Sequence, residues 1–267
     1  MKFDVSSACT GCGKCAKDCP MAILEKKAGR PSVRDGKGLG CIDCRHCVAV
    51  CPEGAFSVNG ITADDCRPLS EMPIPPPEEM SNLLMTRRSI RQYAACNVPK
   101  EEISALLETL KHIPTGCNIR HLTFSVVDDI AKMDVMRKRV IEILCANENK
   151  LSDFLKGVLA SVKKNPEIDP FFRGAPHILI VKGDANAVTP QVDCDAACAY
   201  FDLLAQSHGF GTTWCGFLKI MVDAVPEIAD VFSIPRGAPF YAMLFGEPLV
   251  DYARSVDRSD GAAVEWL

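Results

Sequence analysis

Two stretches decide the organisation of this chain: Cys9-Thr-Gly-Cys12-Gly-Lys-Cys15-Ala-Lys-Asp-Cys19-Pro20 and Cys41-Ile-Asp-Cys44-Arg-His-Cys47-Val-Ala-Val-Cys51-Pro52. Both read C-x2-C-x2-C-x3-C-P. At that spacing three thiolates on a short coil can wrap one corner of an iron–sulfur cubane. The fourth, followed by proline, points away and serves the other cluster. The pattern therefore predicts two [4Fe–4S] centres with crossed ligands. Cys9, Cys12, Cys15 and Cys51 hold one; Cys41, Cys44, Cys47 and Cys19 hold the other. A zinc site would use four ligands, often two C-x2-C pairs. A disulfide scaffold would belong to a secretory context, and none is visible.

This stretch resembles the bacterial two-cluster ferredoxins at every ligand position, over residues 1 to about 65. The remaining residues of the 267 are enough to bury a full core. Composition is that of an ordinary globular protein, 48% apolar and 24% charged. The net charge of −4 argues against a nucleic-acid surface. Residues 1–65 carry nine Lys+Arg and eight Asp+Glu, so their balance names no partner. No apolar run reaches membrane length, and no signal peptide follows Met1-Lys2-Phe3-Asp4. Fifteen cysteines without an export signal point to reduced thiols in a cytoplasm.

The proline run Pro73-Ile-Pro75-Pro76-Pro77 fixes φ and removes donors. It marks residues 66–78 as an extended linker between a domain at 1–65 and another at 79–267. Glu53 to Ile61 reads as a hairpin-like finish to the first domain. In the second, helices are predicted at 78–86, 98–111, 131–146, 151–163 and 189–208, and strands at 121–127, 176–182 and 239–246. The fold class is α+β, a sheet with helices packed on it. No G-x-G-x-x-G opens a helix after a strand, and no phosphate-loop motif is present.

Arg87-Arg88-Ser89-Ile90-Arg91-Gln92-Tyr93 places three guanidiniums and a hydroxyl within five residues, a set that suits a phosphate. On composition alone a solvated basic turn explains it better. The run is, however, similar to the opening of the nitroreductase family of FMN enzymes. Pro114-Thr115-Gly116-Cys117-Asn118 resembles that family's Pro-Ser-x-x-Asn turn. Gly209-Phe-Gly211-Thr-Thr-Trp214-Cys215-Gly216 is similar to its Gly-Leu-Gly-Thr-x-Trp segment. Phe245-Gly246-Glu-Pro248, followed by Arg254 and Arg258, resembles its closing segment.

The resemblance implies that Arg87, Arg88, Ser89 and Arg91 hold the FMN phosphate and ribityl chain. It implies that Asn118 bonds the isoalloxazine edge with Thr115 nearby. Backbone at Trp214, Cys215 and Gly216 faces the ring, and Arg254 or Arg258 completes the phosphate clamp. It also implies a homodimer with FMN at the interface, acting on nitro groups, quinones or activated alkenes. Ile119-Arg120-His121 departs from the family's Gln-Pro-Trp and puts those usual substrates in doubt. Arg120 reads as an anion contact or a surface residue. No proton-donating residue is singled out. Cys194 and Cys198 read as core, and Cys117 and Cys215 as small residues in tight turns. His46 and His121 read as exposed or as weak candidates. The electron donor implied is a reduced ferredoxin or NAD(P)H.

Overall fold

The structure, a computed structural model, describes all residues 1–267 and divides into two compact units. The first comprises Met1–Pro75 with Cys117–Ile119; the second comprises Pro76–Gly116 with Arg120–Leu267.

The first unit holds strand β1 (Phe3–Val5), helix α1 (Lys14–Lys17), strands β2 (Leu24–Lys27) and β3 (Arg30–Val33), helix α2 (His46–Ala49) and strand β4 (Phe56–Val58). β4 closes a tight local turn as the sequence suggested, Val58 bridging Ile61 antiparallel with reciprocal backbone hydrogen bonds of 3.0 and 2.9 Å. It pairs antiparallel with β1, Phe3 opposite Val58 and Val5 opposite Phe56, and the Phe3 and Phe56 rings stack at 5.7 Å. Phe56 and Val58 are both buried by this pairing. β2 and β3 form a separate hairpin between the two cysteine runs, absent from the sequence reading. α1 and α2 are single turns, each entered through a left-handed residue, Gly13 (φ 78°) and Arg45 (φ 62°). Those turns fold each C-x2-C-x2-C run back on itself.

The second unit begins with helix α3 (Pro77–Thr86), so the proline run ends as the first turn of a helix, where a missing N–H costs nothing. Then come α4 (Lys100–Leu110), β5 (Leu122–Val127), α5 (Ile130–Ala146), α6 (Asp153–Lys164), β6 (His177–Gly183), α7 (Pro190–Ser207), β7 (Gly211–Trp214), α8 (Gly216–Ala224), α9 (Ile228–Val231) and β8 (Phe240–Gly246). The four strands form one antiparallel sheet in the order β5-β6-β8-β7. Side chains alternate across it. Ile178, Ile180, Phe240, Ala242 and Leu244 enter a core with residues of α5, α6, α8 and α9. Leu179, Val181, Met243 and Phe245 enter a second core with α4 and α7. The unit is three layers, helices on both faces of a sheet.

His177 is fully buried at the start of β6. Its Nε2 accepts from the Val98 N–H at 2.8 Å, and its Nδ1 lies 3.1 Å from the Val127 carbonyl. Both contacts are satisfied only by the neutral ring protonated at Nδ1. Burial lowers its pKa. The unfolded chain, with an ordinary value of about 6.5, therefore binds more protons at mildly acid pH. Stability from this residue is complete above about pH 7 and is lost as pH falls through about 6.5. Thermal unfolding followed by circular dichroism should show a smaller acid-induced drop in midpoint for His177→Gln than for the parent protein. Equal drops in the two would refute the assignment.

Candidate functional site

The eight thiols of the two runs line two separate small cavities in the first unit. One is bounded by Cys9, Cys12, Cys15 and Cys51. The other is bounded by Cys19, Cys41, Cys44 and Cys47. Each run thus contributes three thiols to one cavity and its fourth, the one followed by proline, to the other. No three of these thiols converge on a point where a single ion could sit; they surround a volume instead. Burial raises the Cys15 thiol and pushes Cys47 up to about 11. Thiols so placed need a positively charged group in the cavity to exist as thiolates. Backbone N–H groups already face two of the sulfurs, Gly11 toward Cys9 at 3.4 Å and Ala55 toward Cys51 at 3.3 Å.

In the second unit the Arg87–Tyr93 run lies along the free edge of β7. Ser89 bridges Thr212 in parallel, and the Ile90 N–H donates to the Thr212 carbonyl at 2.8 Å. Gly211 permits this approach: a Cβ there would fall 2.7 Å from Ile90 Cγ2. Tyr93 locks the far end, its hydroxyl donating to the Ile90 carbonyl at 2.6 Å with Thr213 Oγ1 3.1 Å away.

Beside this edge is a cavity of about 300 Å³, at the lower end of the range of cofactor sites. Arg91, Trp214, Cys215 and Gly216 line it, together with Phe154, Phe171, Arg173, Phe217 and Ile220. α8 starts here with no side-chain cap on its first turn, so its leading N–H groups are available to a ligand. Phe217 makes the aromatic wall, stacked on Phe154 at 5.8 Å and edge-on to Phe171 at 5.4 Å. Burial pushes the Cys215 thiol up to about 12, so at neutral pH it is an inert wall and no nucleophile.

Arg173, absent from the sequence reading, has φ 56°, a strained value for a non-glycine residue. The loop beneath it is fixed by Asp169, whose carboxylate accepts from the N–H groups of Phe172 and Gly174, both at 2.9 Å. The same carboxylate lies 3.0 Å from Arg137 Nε, an ion-pair contact without hydrogen-bond alignment. Arg137 also donates to the Ala175 carbonyl. Although it stands in the charged run Arg137-Lys138-Arg139, the Arg137 side chain is only 13% exposed and braces this loop.

Of the other expected residues, Arg87 turns to Asp202 at 3.0 Å and does not line the cavity. Arg88 engages Gln206 through its backbone at both N–H and carbonyl. The Pro114–Asn118 turn carries left-handed backbone at Cys117 (φ 51°) and Asn118 (φ 54°), followed by Arg120 (φ 54°). Asp193 holds it by accepting from the Gly116 N–H at 3.0 Å, and Thr115 Oγ1 accepts from the Arg120 N–H at 2.9 Å. Asn118 Nδ2 donates to the Ile42 carbonyl at 2.9 Å, within the first unit. Arg254 and Arg258 are exposed in the segment after β8.

A larger groove of about 470 Å³ lies between α7, α8 and the loop before β8. Its cations are already paired, Lys219 with Asp223 and Arg236 with Asp230, which leaves no convergent polar set.

Residues 84–247 match the pattern of the nitroreductase family, well over half of the chain. The chain belongs to the nitroreductase family. Residues 8–56 match the 4Fe-4S dicluster domain. The protein is therefore a nitroreductase-family oxidoreductase with an N-terminal 4Fe-4S domain. A putative NADH dehydrogenase/NAD(P)H nitroreductase of Methanothermobacter thermautotrophicus is 28% identical over 173 residues, 62% of this chain and 75% of that one. Among solved structures, the fold resembles a nitroreductase with bound FMN from Bacteroides fragilis (TM-score 0.56, 21% identity, 70% of this chain and 99% of that chain). A nitroreductase with bound FMN from Desulfitobacterium hafniense is comparably similar (TM-score 0.55, 21% identity, 70% and 98%).

Proposed function

We propose that this nitroreductase-family protein is an FMN-dependent oxidoreductase that receives low-potential electrons through two [4Fe–4S] clusters and reduces a small organic acceptor, a nitro, quinone or activated-alkene compound. The observation that carries the reading is the partition of eight thiols into two four-thiol cavities on a chain that also holds the Arg91–Gly216 cavity. When bound, the clusters supply single-electron transfer and FMN supplies conversion between one and two electrons.

The chain's own part is to hold and shield. Cys9, Cys12, Cys15 and Cys51 would ligate one cluster, and Cys19, Cys41, Cys44 and Cys47 the other. Arg91 and Arg173 would balance the negative charge of FMN. The open first turn of α8 at Gly216 and Phe217 would donate to the polar edge of the ring system. The aromatic wall of Phe154, Phe171 and Phe217 would keep water from it. Ser89 and Arg88 sit on the adjoining edge, where the phosphate end is expected.

A second copy of this chain is the proposed partner. The outer face of α7 presents Val192, Ala199, Tyr200 and Leu203 at helical spacing, with Val192 63% and Tyr200 52% exposed. Such a stripe suits a symmetric contact. No helix is long and apolar enough to cross a membrane, and fifteen cysteines outside any disulfide suit a reducing cytoplasm.

The test is anaerobic absorbance of the purified protein mixed separately with NADH, NADPH and a reduced ferredoxin. The expected result is flavin bleaching by reduced ferredoxin alone. Fast bleaching by a nicotinamide, with the clusters following, would reverse the direction of current. That is the second reading, favoured by the name of the Methanothermobacter relative. Protein that neither carries nor takes up FMN would overturn both.

A further inference from the structure

The two thiol cavities differ in their surroundings. The second is bordered by groups that already have partners: Arg45 pairs with Asp43 at 3.4 Å, and His46 Nδ1 lies 3.2 Å from an Asp18 carboxylate oxygen. The first is bordered by cations that do not. Lys14 lines it directly. The Lys26 stem runs past its loop, so that a Cβ on Gly11 or on Gly13 would sit 3.8 Å from Lys26 carbons. Lys27 is the register partner of Arg30, one step along the hairpin from Lys26 and the cavity-lining Pro31. Arg30 is held in place by the carbonyls of Val5 (2.9 Å) and Ser6 (2.5 Å), which neutralise none of its charge. Lys17 closes α1. All five side chains are on exposed residues and form no salt bridge. Glu53 is the one acid lining the cavity. Glu25 lies half-buried on β2, and Asp4 is exposed on β1. Cys12, one of the four thiols, is itself exposed, so this cavity opens on the basic surface.

We propose that the surface formed by Lys14, Lys17, Lys26, Lys27 and Arg30 is the docking site for an acidic one-electron carrier protein, of ferredoxin or flavodoxin character. The inference rests on the reading that the thiol cavities hold clusters, and it adds which cluster meets the outside partner. Unpaired cations around a redox centre steer a negatively charged carrier and raise its encounter rate by about 10- to 1,000-fold, an advantage that salt removes. One electron leaves the reduced carrier and enters the Cys9/Cys12/Cys15/Cys51 centre. No bond forms or breaks and no proton moves. Two such docking events supply one two-electron reduction. Over residues 1–65 the charges nearly cancel; their arrangement, and not their sum, makes the surface.

The experiment measures binding of an oxidised small acidic bacterial ferredoxin to the full-length holoprotein by titration calorimetry, across a series of NaCl concentrations. The proteins compared are the parent, the triple variant Lys14→Gln/Lys26→Gln/Lys27→Gln, and a charge-matched control, Lys138→Gln/Arg139→Gln/Lys164→Gln. The parent and the control should bind alike and lose affinity steeply with salt. The patch variant should bind at least about tenfold more weakly at low salt and show a shallower salt dependence. Equal binding by the patch variant and the parent would overturn the proposal. So would equal weakening in the control, or no binding by the parent. Iron analysis of the same preparations separates the two levels. Iron-free protein defeats the cluster reading itself, whereas iron-loaded protein with an indifferent patch defeats the docking surface alone.

Discussion

Replacing Cys51 with alanine should remove one cluster and leave the other, with iron falling from about eight to about four per chain. The expectation follows from where Cys51 lies. It belongs by sequence to the second run, yet its thiol lines the cavity of Cys9, Cys12 and Cys15. A cubane with one thiolate missing leaves an open, solvent-reactive iron. This cavity already opens to solvent at Cys12, so loss of the whole cluster is expected over survival of a three-ligand form. Double variants make the assignment decisive. Cys51→Ala/Cys9→Ala should retain as much iron as Cys51→Ala alone, because both changes strike one centre. Cys51→Ala/Cys41→Ala should retain almost none. The reverse pattern would show that each run ligates its own cluster. Iron of about four in the parent protein would show that only one cavity is filled.

The cluster domain was legible because iron–sulfur ligation imposes a spacing that little else in protein chemistry requires. Its strand pairing was less so. The Val58–Ile61 turn was visible locally, but its partner strand β1 lies more than fifty residues away and is selected by the packing of Phe3 on Phe56. In the second unit, strands and helices with long periodic patterns appeared within two residues of their expected ends. β7 was missed because Gly209-Phe-Gly211 reads as a helix terminator and only four residues follow in the strand. α8 and α9 were missed with it.

At the site, the basic run was visible but the direction of each arginine was not. Spacing alone cannot show that Arg91 lines the cavity while Arg87 is drawn to Asp202, 115 residues away. Arg173 had no signal at all. Its place depends on a left-handed turn fixed by Asp169 and Arg137, which are distant in sequence from every recognised motif.

Asp202 carries the second large expectation. Its side chain, 6% exposed on α7, accepts from Arg87 at 3.0 Å, from Trp214 Nε1 at 3.3 Å, from Gln206 Nε2 at 3.2 Å and from the Thr212 hydroxyl. One carboxylate thus ties the start of the basic run to β7 and to the helix behind both. Asp202→Ala would leave a guanidinium without its counter-charge and the Trp214 and Thr212 donors unpaired, while Gln206 keeps the Arg88 carbonyl. Removing one partner of a buried pair costs about 3–5 kcal/mol. Arg87 is 33% exposed and keeps some hydration, so about 3 kcal/mol is expected, at the low end of that range. For a unit of this size that loss lowers the thermal midpoint by about 10 °C. Asp202→Asn, which keeps shape and two lone pairs, should lose about half as much. Arg87→Gln added to Asp202→Ala should cost little more, since the charge it removes is already orphaned. Additive losses in that cycle would mean that Arg87 and Asp202 act separately. Flavin affinity gives an independent readout. Trp214 lines the cavity and owes part of its orientation to Asp202, so Asp202→Ala should weaken FMN retention even at temperatures where the fold is intact. A variant that melts early but binds FMN as the parent does would make the carboxylate a brace for the fold without influence on the cavity wall.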